Sequence, residues 1–517
     1  MNYFQRGPLL AFACVLIWRV LLLVFTAQPI PAHDAFGYDG GVVNYLHGGG
    51  YCNPSLALVF PISGRQIYAT YPPLYQGAVL GWMRLFGTSV LSAMALHVLM
   101  FAISGFLLVV IIGRFFPATA RYSLAIWLLF GLTFDDRPES LAYVFGLLAL
   151  WLVLRQVSEV DFRWGTACGL LASLILCLYT SVIVGAYFFG IGFLACGLAS
   201  TGRRGLRWFA PFVAAAGLFA AITMTVARLE PLWWAGFMES ARQQSVMTTG
   251  FRLPAGDEVV KLLRTVPVFC LALAALPWII GRRKEFRSPF SAWMALGASI
   301  FVMGWVLLAL SLTLLPANYC NYAIFTQTLL AAGLLAAANE LMPQREGRLR
   351  AWLWICVLLV SVRAIGMTTW GVVCAWKNSY YNTQTILGRE LQPFISADRP
   401  VLISSPFLYR AVALGVRNPV HSDWYYDHAG WTNDNPQLQS LARLQPSRLV
   451  LTQFDYYRDF VPVLDQLRKR PELVEIRVRN LALVRSPDSI PALQRVVQHI
   501  SWAPVIVELD WKQPPGS

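Results

Sequence analysis

The chain has 517 residues, of which 57% are hydrophobic and only 13% carry a charge, and its mean hydropathy is +0.53. Soluble domains average about 25% charged residues, so this composition indicates a membrane protein and excludes an ordinary soluble enzyme. The formal net charge of +14 does not indicate nucleic-acid binding, because the basic residues lie mostly in short loops between apolar blocks. The nine cysteines form no Cys-x-x-Cys motif and most lie inside apolar blocks, which argues against a zinc site.

Apolar blocks long enough to cross a hydrocarbon core of about 30 Å recur along the first three quarters of the chain. The first, residues 7–28, has no small-residue cleavage site after a short apolar core, so we interpret it as a retained signal anchor. In chain order the blocks predict about eleven membrane-spanning helices, near residues 8–29, 89–113, 119–134, 138–156, 165–180, 181–200, 208–227, 264–281, 290–315, 323–341 and 351–372.

The basic residues of the loops predict the orientation in the membrane. With the N-terminus in the cytoplasm, every tight Lys/Arg cluster falls in a cytoplasmic loop, as the positive-inside rule requires. These clusters lie within residues 114–121, 155–163, 203–207, 282–287 and 345–350. An odd number of crossings then places the C-terminal tail on the opposite, non-cytoplasmic side of the membrane.

Two long loops are expected on that outer face, over residues 30–88 and 228–263. The first contains two stretches, residues 38–47 and 72–86, that are too short to span and predict helices lying in the membrane interface. We therefore expect an α-helical polytopic domain over residues 1–375.

The tail, residues 376–517, has a different character, since short apolar runs alternate with amphipathic ones. Strands are predicted over residues 400–404 and 448–452, with one or two more within 474–484. Helices are predicted over 406–414, 436–444 and 461–468. Strands that alternate with helices predict a small α/β domain.

Acidic residues are scarce and are grouped on the expected outer face. Before residue 135 the sequence has only Asp34 and Asp39, both in the first outer loop, and the next three, Asp135, Asp136 and Glu139, lie at an outer helix junction. A carboxylate at the edge of a bilayer is costly to desolvate, so such a position indicates a function. A plainer interpretation is that these residues are solvated loop acids or partners of Arg137.

The first outer loop also carries a recognisable set of motifs. Asp34 lies in the segment His-Asp-Ala-Phe-Gly-Tyr-Asp, which is followed by Tyr71-Pro-Pro-Leu-Tyr75 and by Phe86-Gly87, and Arg137-Pro-Glu139 opens the expected fourth helix. This pattern resembles the GT-C superfamily of membrane glycosyltransferases, and in particular the family 39 branch. That branch contains protein O-mannosyltransferases and lipid A aminoarabinose transferases. The resemblance covers about the first 200 residues.

The resemblance implies a GT-C-like helical domain and an enzyme that takes its sugar from a polyprenyl-phosphate carrier. The acceptor would be a hydroxyl of a lipid, glycan or protein. In this family the acids of the first loop are often adjacent, whereas Asp34 and Asp39 are five residues apart, so both remain candidates for the base that takes the acceptor proton. His33, Tyr38, Tyr71 and Tyr75 are the candidate substrate-binding residues of the same loop.

A departing phosphate needs cations or a metal ion to stabilise its charge. Arg137 is one candidate, and the second outer loop supplies four others. These four are Arg242, Arg252, Lys261 and Arg264. A divalent metal held with the help of His33 and His47 is left open, and no other cofactor is expected.

Rival functions remain open. A transporter or lipid flippase needs polar groups near the membrane midplane, and Arg19 and Arg363 lie within predicted spans, as that function requires. The acidic residues, however, are concentrated on one face of the membrane, and this asymmetry favours an enzyme. The sequence is also compatible with an O-antigen-ligase-like enzyme or with an inactive relative. In an oxidising compartment the two outer-loop cysteines, Cys52 and Cys320, are candidates for a disulfide, although the sequence does not tell how close they lie.

Overall fold

The structure is a computed structural model that describes residues 3–28, 35–115, 137–158, 162–199, 203–246, 379–396, 399–422, 436–481 and 502–512, together with short helical pieces between 267 and 372. The predicted helices at 119–134 and 290–315 lie outside these ranges. The described helices of the first half are α1 (Tyr3–Thr26), α2 (Ala35–Leu46), α3 (Pro61–Arg65), α4 (Pro73–Phe86), α5 (Val90–Phe115), α6 (Glu139–Ser158), α7 (Trp164–Thr180), α8 (Val182–Ala199), α9 (Arg203–Leu229) and α10 (Pro231–Val246).

Three of these helices contain stretches that are long and apolar enough to cross a membrane. In the described part of the chain they are Val90–Phe115, Glu139–Val157 and Arg207–Leu229, and shorter apolar helices cover Phe12–Thr26, Trp164–Thr180 and Val182–Gly197. All six coincide with predicted spans. The prediction of about eleven spans stays a prediction, because much of the chain between residues 250 and 378 lies outside the description.

The two predicted interfacial helices of the first loop are present. We call the segment between α1 and α5 the first loop. Its helix α2 begins at Ala35, three residues before the predicted start at residue 38, and α4 matches the prediction within one residue. Helix α4 buries Tyr75, Val79 and Met83 and exposes Leu85 and Phe86. This two-sided character is what a helix at a membrane interface requires.

The C-terminal part forms the predicted small α/β domain around a five-stranded sheet in the order β2-β1-β3-β5-β4. Its strands are β1 (Val401–Ile403), β2 (Pro419–His421), β3 (Arg448–Leu451), β4 (Leu473–Asn480) and β5 (Val505–Trp511). Its longer helices are α11 (Tyr380–Leu391), α12 (Ser405–Ala413), α13 (Pro436–Leu444) and α14 (Val461–Leu467). Strand β1 pairs in parallel with β2 and β3, whereas β5 pairs antiparallel with β3 and β4.

Two strands of this sheet were not predicted. Strand β2 has only three residues and begins with a proline, so its sequence carries no strand pattern, although its position at the sheet edge tolerates that proline. Strand β5 lies near the C-terminus and inserts between β3 and β4, a placement decided by tertiary pairing. In contrast, the predicted helix over residues 436–444 agrees with α13 at both ends.

The expected disulfide of Cys52 is not formed. Cys52 is a buried free thiol, and Asn44 Nδ2 donates to its Sγ atom at 3.6 Å. Burial raises the pKa of this thiol above its ordinary value. The proposed partner, Cys320, lies outside the described residues. The physical reason for the wrong prediction is that Cys52 lies in a tight turn within the first loop, where it packs against its own neighbours.

Helix α2 fits into the first loop only because Gly40 lacks a side chain. A Cβ atom at residue 40 would overlap the side chain of Asn53, which is buried and cannot give way because its Nδ2 atom donates to the Phe36 carbonyl at 3.2 Å. On the neighbouring α4, a Cβ at Gly77 would meet nothing within 4 Å. The two glycines are therefore a matched pair, one enclosed and one open.

We predict that Gly40→Ala lowers the free energy of unfolding by about 1–3 kcal/mol, the usual cost of overpacking a buried site. Gly77→Ala should leave stability unchanged or raise it by up to about 1 kcal/mol, because alanine favours a helix. Thermal unfolding of the two purified variants in the same detergent measures the difference. Equal melting temperatures would show that Asn53 does not hold α2 in this way.

Candidate active site

The first turn of α2 is held by side chains from distant parts of the chain. The Phe36 N–H, which has no partner within its own helix, donates to Ser405 Oγ at 2.8 Å. The Phe36 carbonyl accepts from Asn53, and the Gly37 carbonyl accepts from the Tyr68 hydroxyl at 2.6 Å. Because Ser405 begins α12, the C-terminal domain satisfies a buried backbone donor at the start of α2.

Asp39, one of the two predicted bases, is enclosed in the same place. Only 2% of its surface is exposed, and both carboxylate oxygens accept hydrogen bonds. Tyr75 of α4 donates to Oδ1 at 3.0 Å and Tyr409 of α12 donates to Oδ2 at 2.7 Å. The Tyr75 hydroxyl also lies 3.3 Å from Nε2 of His97, which is part of α5. A chain of polar contacts therefore runs from a membrane helix through Asp39 to the C-terminal domain.

The environment of Asp39 favours its protonated form. Burial raises the pKa of this carboxyl from 3.8 to about 6, and the hydrogen bonds from Tyr409 and Tyr75 oppose that rise only in part. A pKa close to the operating pH suits a general base. However, a base must also reach the proton that it takes, and Asp39 is buried with a tyrosine hydroxyl bonded to each of its oxygens.

Tyr38 joins the first loop to the start of α6. Its ring packs edge-on against Tyr71 with centroids 4.5 Å apart, and its carbonyl accepts from Gln76. The Arg137 guanidinium lies over the same ring, 5.6 Å from its centroid, and Arg137 Nε also approaches Glu139 Oε2 at 3.4 Å. The side chain of Arg137 is 12% exposed and that of Glu139 only 3%, so this ion pair is largely withdrawn from solvent.

The structure thus brings together six of the predicted site residues, which are Tyr38, Asp39, Tyr71, Tyr75, Arg137 and Glu139. Seven predicted residues lie outside the described ranges: His33, Asp34, Asp135, Asp136, Arg252, Lys261 and Arg264. Asp34 immediately precedes Ala35, the first residue of α2. Among the described residues no group of three or more metal-binding side chains occurs. His47, considered for a metal, instead lies 2.7 Å from the Thr88 hydroxyl.

The second loop contacts the first through α10. Its Glu239 Oε2 accepts from the Ile62 N–H at 3.1 Å, at the start of α3, where a negative charge is favourable. Burial raises the pKa of Glu239 above its ordinary value, and the Ile62 and Ser63 N–H groups counteract that rise. Arg242, a predicted phosphate ligand, is an exposed residue of the same helix. The contacts of α10 with the first loop therefore involve an acid that the sequence did not single out.

Sequence reasoning missed several residues of this site. Tyr409 and Ser405 lie about 370 residues from the groups that they contact, and no local pattern reports such a pairing. His97 offered a signal, since an ionisable residue inside an apolar helix is a functional candidate by default.

Comparisons with known proteins support the fold. No protein-family profile and no curated protein sequence matches this chain. A solved structure does match: ArnT from Cupriavidus metallidurans bound to undecaprenyl phosphate. It is 15% identical to this chain, the superposition covers 97% of this chain and 98% of that one, and the TM-score is 0.51. This chain therefore has the fold of that ArnT structure, and its described residues form membrane-length apolar helices and a small C-terminal sheet domain.

Proposed function

We propose that the protein is an inverting glycosyltransferase that moves a sugar from a polyprenyl-phosphate carrier to a hydroxyl acceptor at the outer face of the inner membrane. The observation that carries this proposal is the meeting of the α2 start with Arg137 and Glu139 under the C-terminal domain. These elements come from separate parts of a chain that has the ArnT fold. They combine carboxylates, aromatic rings and a guanidinium, the groups needed to bind and activate a sugar phosphate.

The donor class is inferred from chemistry and from the relative. ArnT in the matching structure is bound to undecaprenyl phosphate, and we extend a lipid-phosphate carrier to this chain. Such a donor suits a membrane enzyme because its phosphate lies at the edge of the bilayer. Arg137 is the proposed phosphate ligand among the described residues, since a guanidinium matches phosphate oxygens in two-point geometry. The cations at 242, 252, 261 and 264 are proposed as further contacts, and a divalent metal is left open.

The reaction proceeds by displacement at the sugar. The acceptor oxygen attacks the anomeric carbon while a carboxylate takes the acceptor proton, and the bond from that carbon to the phosphate oxygen breaks. The bonding electron pair leaves on the phosphate, where the positive charge of Arg137 stabilises it. Attack from the side opposite the leaving group inverts the anomeric configuration.

Asp34 is the proposed base. Asp39 has a suitable pKa of about 6, but its side chain is buried and already holds the hydroxyls of Tyr75 and Tyr409. A base must lie within hydrogen-bond reach of its substrate, so access to the substrate is considered before the pKa. We therefore propose that Asp39 holds the first loop in place and that Asp34, five residues earlier, removes the proton.

Asp34→Asn should lower turnover by about 10²-fold or more, the usual scale for loss of a general base, and should leave donor binding almost unchanged. Asp39→Asn keeps the size of the side chain and should cost less. Turnover of the purified variants with a polyprenyl-phosphate sugar makes the comparison. A fully active Asp34 variant beside a dead Asp39 variant would move the base to Asp39, and full activity in both would remove the carboxylate mechanism.

Arg137→Ala should weaken donor binding by about tenfold or more, since a hydrogen bond to a charged group contributes about 1.5–3 kcal/mol. Arg84→Ala is the matched control, because Arg84 is an exposed arginine of α4 and its removal changes the net charge equally. Titration of each variant with polyprenyl phosphate gives the dissociation constants. Equal weakening in both variants would indicate a general charge effect and no specific phosphate contact.

The proposed orientation is tested separately. Reporter fusions after Lys284 and after Lys377 should report opposite compartments, with the first in the cytoplasm and the second outside, because the positive-inside distribution of the loops fixes the topology. The same compartment for both fusions would contradict the predicted arrangement of the spans.

A further inference from the structure

The C-terminal domain contacts the first loop on both sides of Asp34 in the sequence. Before it, the Ala27 carbonyl accepts from the indole N–H of Trp502 at 3.0 Å. After it, the Phe36 N–H donates to Ser405, and Asp39 accepts from Tyr409. Trp502 is completely buried, and the Ser405 side chain lies at the start of α12. These are contacts between specific polar atoms, not general surface packing.

The backbone at Ala27 indicates that this attachment is not incidental. Ala27 has a φ of 51°, in the left-handed region that is costly for any residue with a Cβ atom. It ends α1 there, with its N–H donating to the Leu23 carbonyl at 3.0 Å and the Gln28 N–H donating to the Leu22 carbonyl at 3.3 Å. The hydrogen bond from Trp502 holds this strained peptide at the point where the chain leaves the membrane helix.

Aromatic contacts reinforce the same junction. The rings of Phe36 and Tyr409 meet edge-to-face with centroids 4.9 Å apart, and both residues are buried. On the domain side, Trp502 packs against Tyr380 at 5.0 Å, and its carbonyl accepts from Thr383 at 3.0 Å. The indole donor of Trp502 is therefore held in place by its own domain, which is how a supporting group positions another.

We propose that the C-terminal domain is a structural part of the active site, and that Tyr409 and Ser405 are positioning residues which fix α2 and the adjoining first loop for catalysis. This inference rests on the proposed transfer reaction for its kinetic consequence. The role of the C-terminal domain is then to hold the first loop in its catalytic position. Tyr409 acts through Asp39, and Ser405 acts through the Phe36 backbone, so neither needs to touch the substrate.

The position of Asp39 also makes the junction sensitive to pH. Its pKa in the folded protein is about 6, above the ordinary 3.8, so folding favours the protonated form. The stability that this group contributes is complete below about pH 4 and is lost as the pH rises through 6. Removing the Tyr409 hydroxyl removes a hydrogen bond that lowers this pKa, so the loss should move to higher pH.

Several ionisable groups face Asp39 and must be kept constant in the test. They are Tyr75 of α4, Tyr68 of the first loop, His97 of α5 behind Tyr75, and Arg137 across Tyr38. Histidine ordinarily changes charge in this pH range. The pH comparison is therefore made between variants that differ only at residues 39 and 409.

The test is a double-mutant cycle on the full-length protein in detergent, with Tyr409→Phe, Asp39→Asn and both together. Tyr409→Phe should lower kcat by about tenfold or more with KM for the donor unchanged, since a small misplacement of reacting groups has a large kinetic effect. It should have little further effect in the Asp39→Asn background. Ser405→Ala should lower kcat in the same direction, and Tyr381→Phe is the matched control because Tyr381 is 70% exposed on α11.

Thermal unfolding between pH 5 and 8 supplies a readout that needs no activity. The pH-dependent loss of stability should shift upward in Tyr409→Phe and be absent from Asp39→Asn. A wild-type kcat and an unshifted pH dependence in Tyr409→Phe would overturn the proposal, as would kinetic losses that are strictly additive. If the wild-type protein transfers no sugar, the proposed function fails, while the unfolding cycle still decides whether Tyr409 and Asp39 are coupled.

Discussion

A buried carboxylate must be hydrogen-bonded, and the contacts between the first loop and the C-terminal domain are arranged around that constraint at Asp39. An unpaired charge in such a place would cost several kcal/mol. The required donors come from α4 and from α12, about 370 residues away. Once these two tyrosines meet the carboxylate, α2 is fixed between α4 and α12. The position of Tyr38 then follows, and with it the approach of Arg137 to the same loop.

The topology of the sheet brings side chains of the late domain to the early loop. Parallel strands β1 and β3 point their carboxyl ends toward the same edge of the sheet, and α12 starts directly after β1. That edge presents Ser405 and Tyr409 to the first loop. The fold therefore builds its candidate site from an early loop, the start of α6 and a late domain, and polar groups of the early loop are satisfied by the late domain.

The sequence predicted the parts of the protein that depend on local physics. Apolar length predicted the spans, stretches too short to span predicted α2 and α4, and scarce acids on the expected outer face pointed to Asp39 and Glu139. It could not predict Tyr409, Ser405 or Trp502 as partners of the first loop, because each pairing joins residues hundreds of positions apart. Strands β2 and β5 were not predicted for a related reason, since their pairing is decided by neighbouring strands in the sheet. The predicted pairing of Cys52 was wrong because neither an oxidising compartment nor a position in an outer loop tells how close two cysteines lie.

The central claim is that the protein acts on a sugar carried by a polyprenyl phosphate. The most direct test is binding of purified protein to a panel of sugars, each presented once on polyprenyl phosphate and once on a nucleoside diphosphate. The account predicts saturable binding of at least one lipid-linked sugar, competition by polyprenyl phosphate alone, and no binding of the nucleotide forms. Binding of a nucleotide sugar without any lipid-linked form would contradict it.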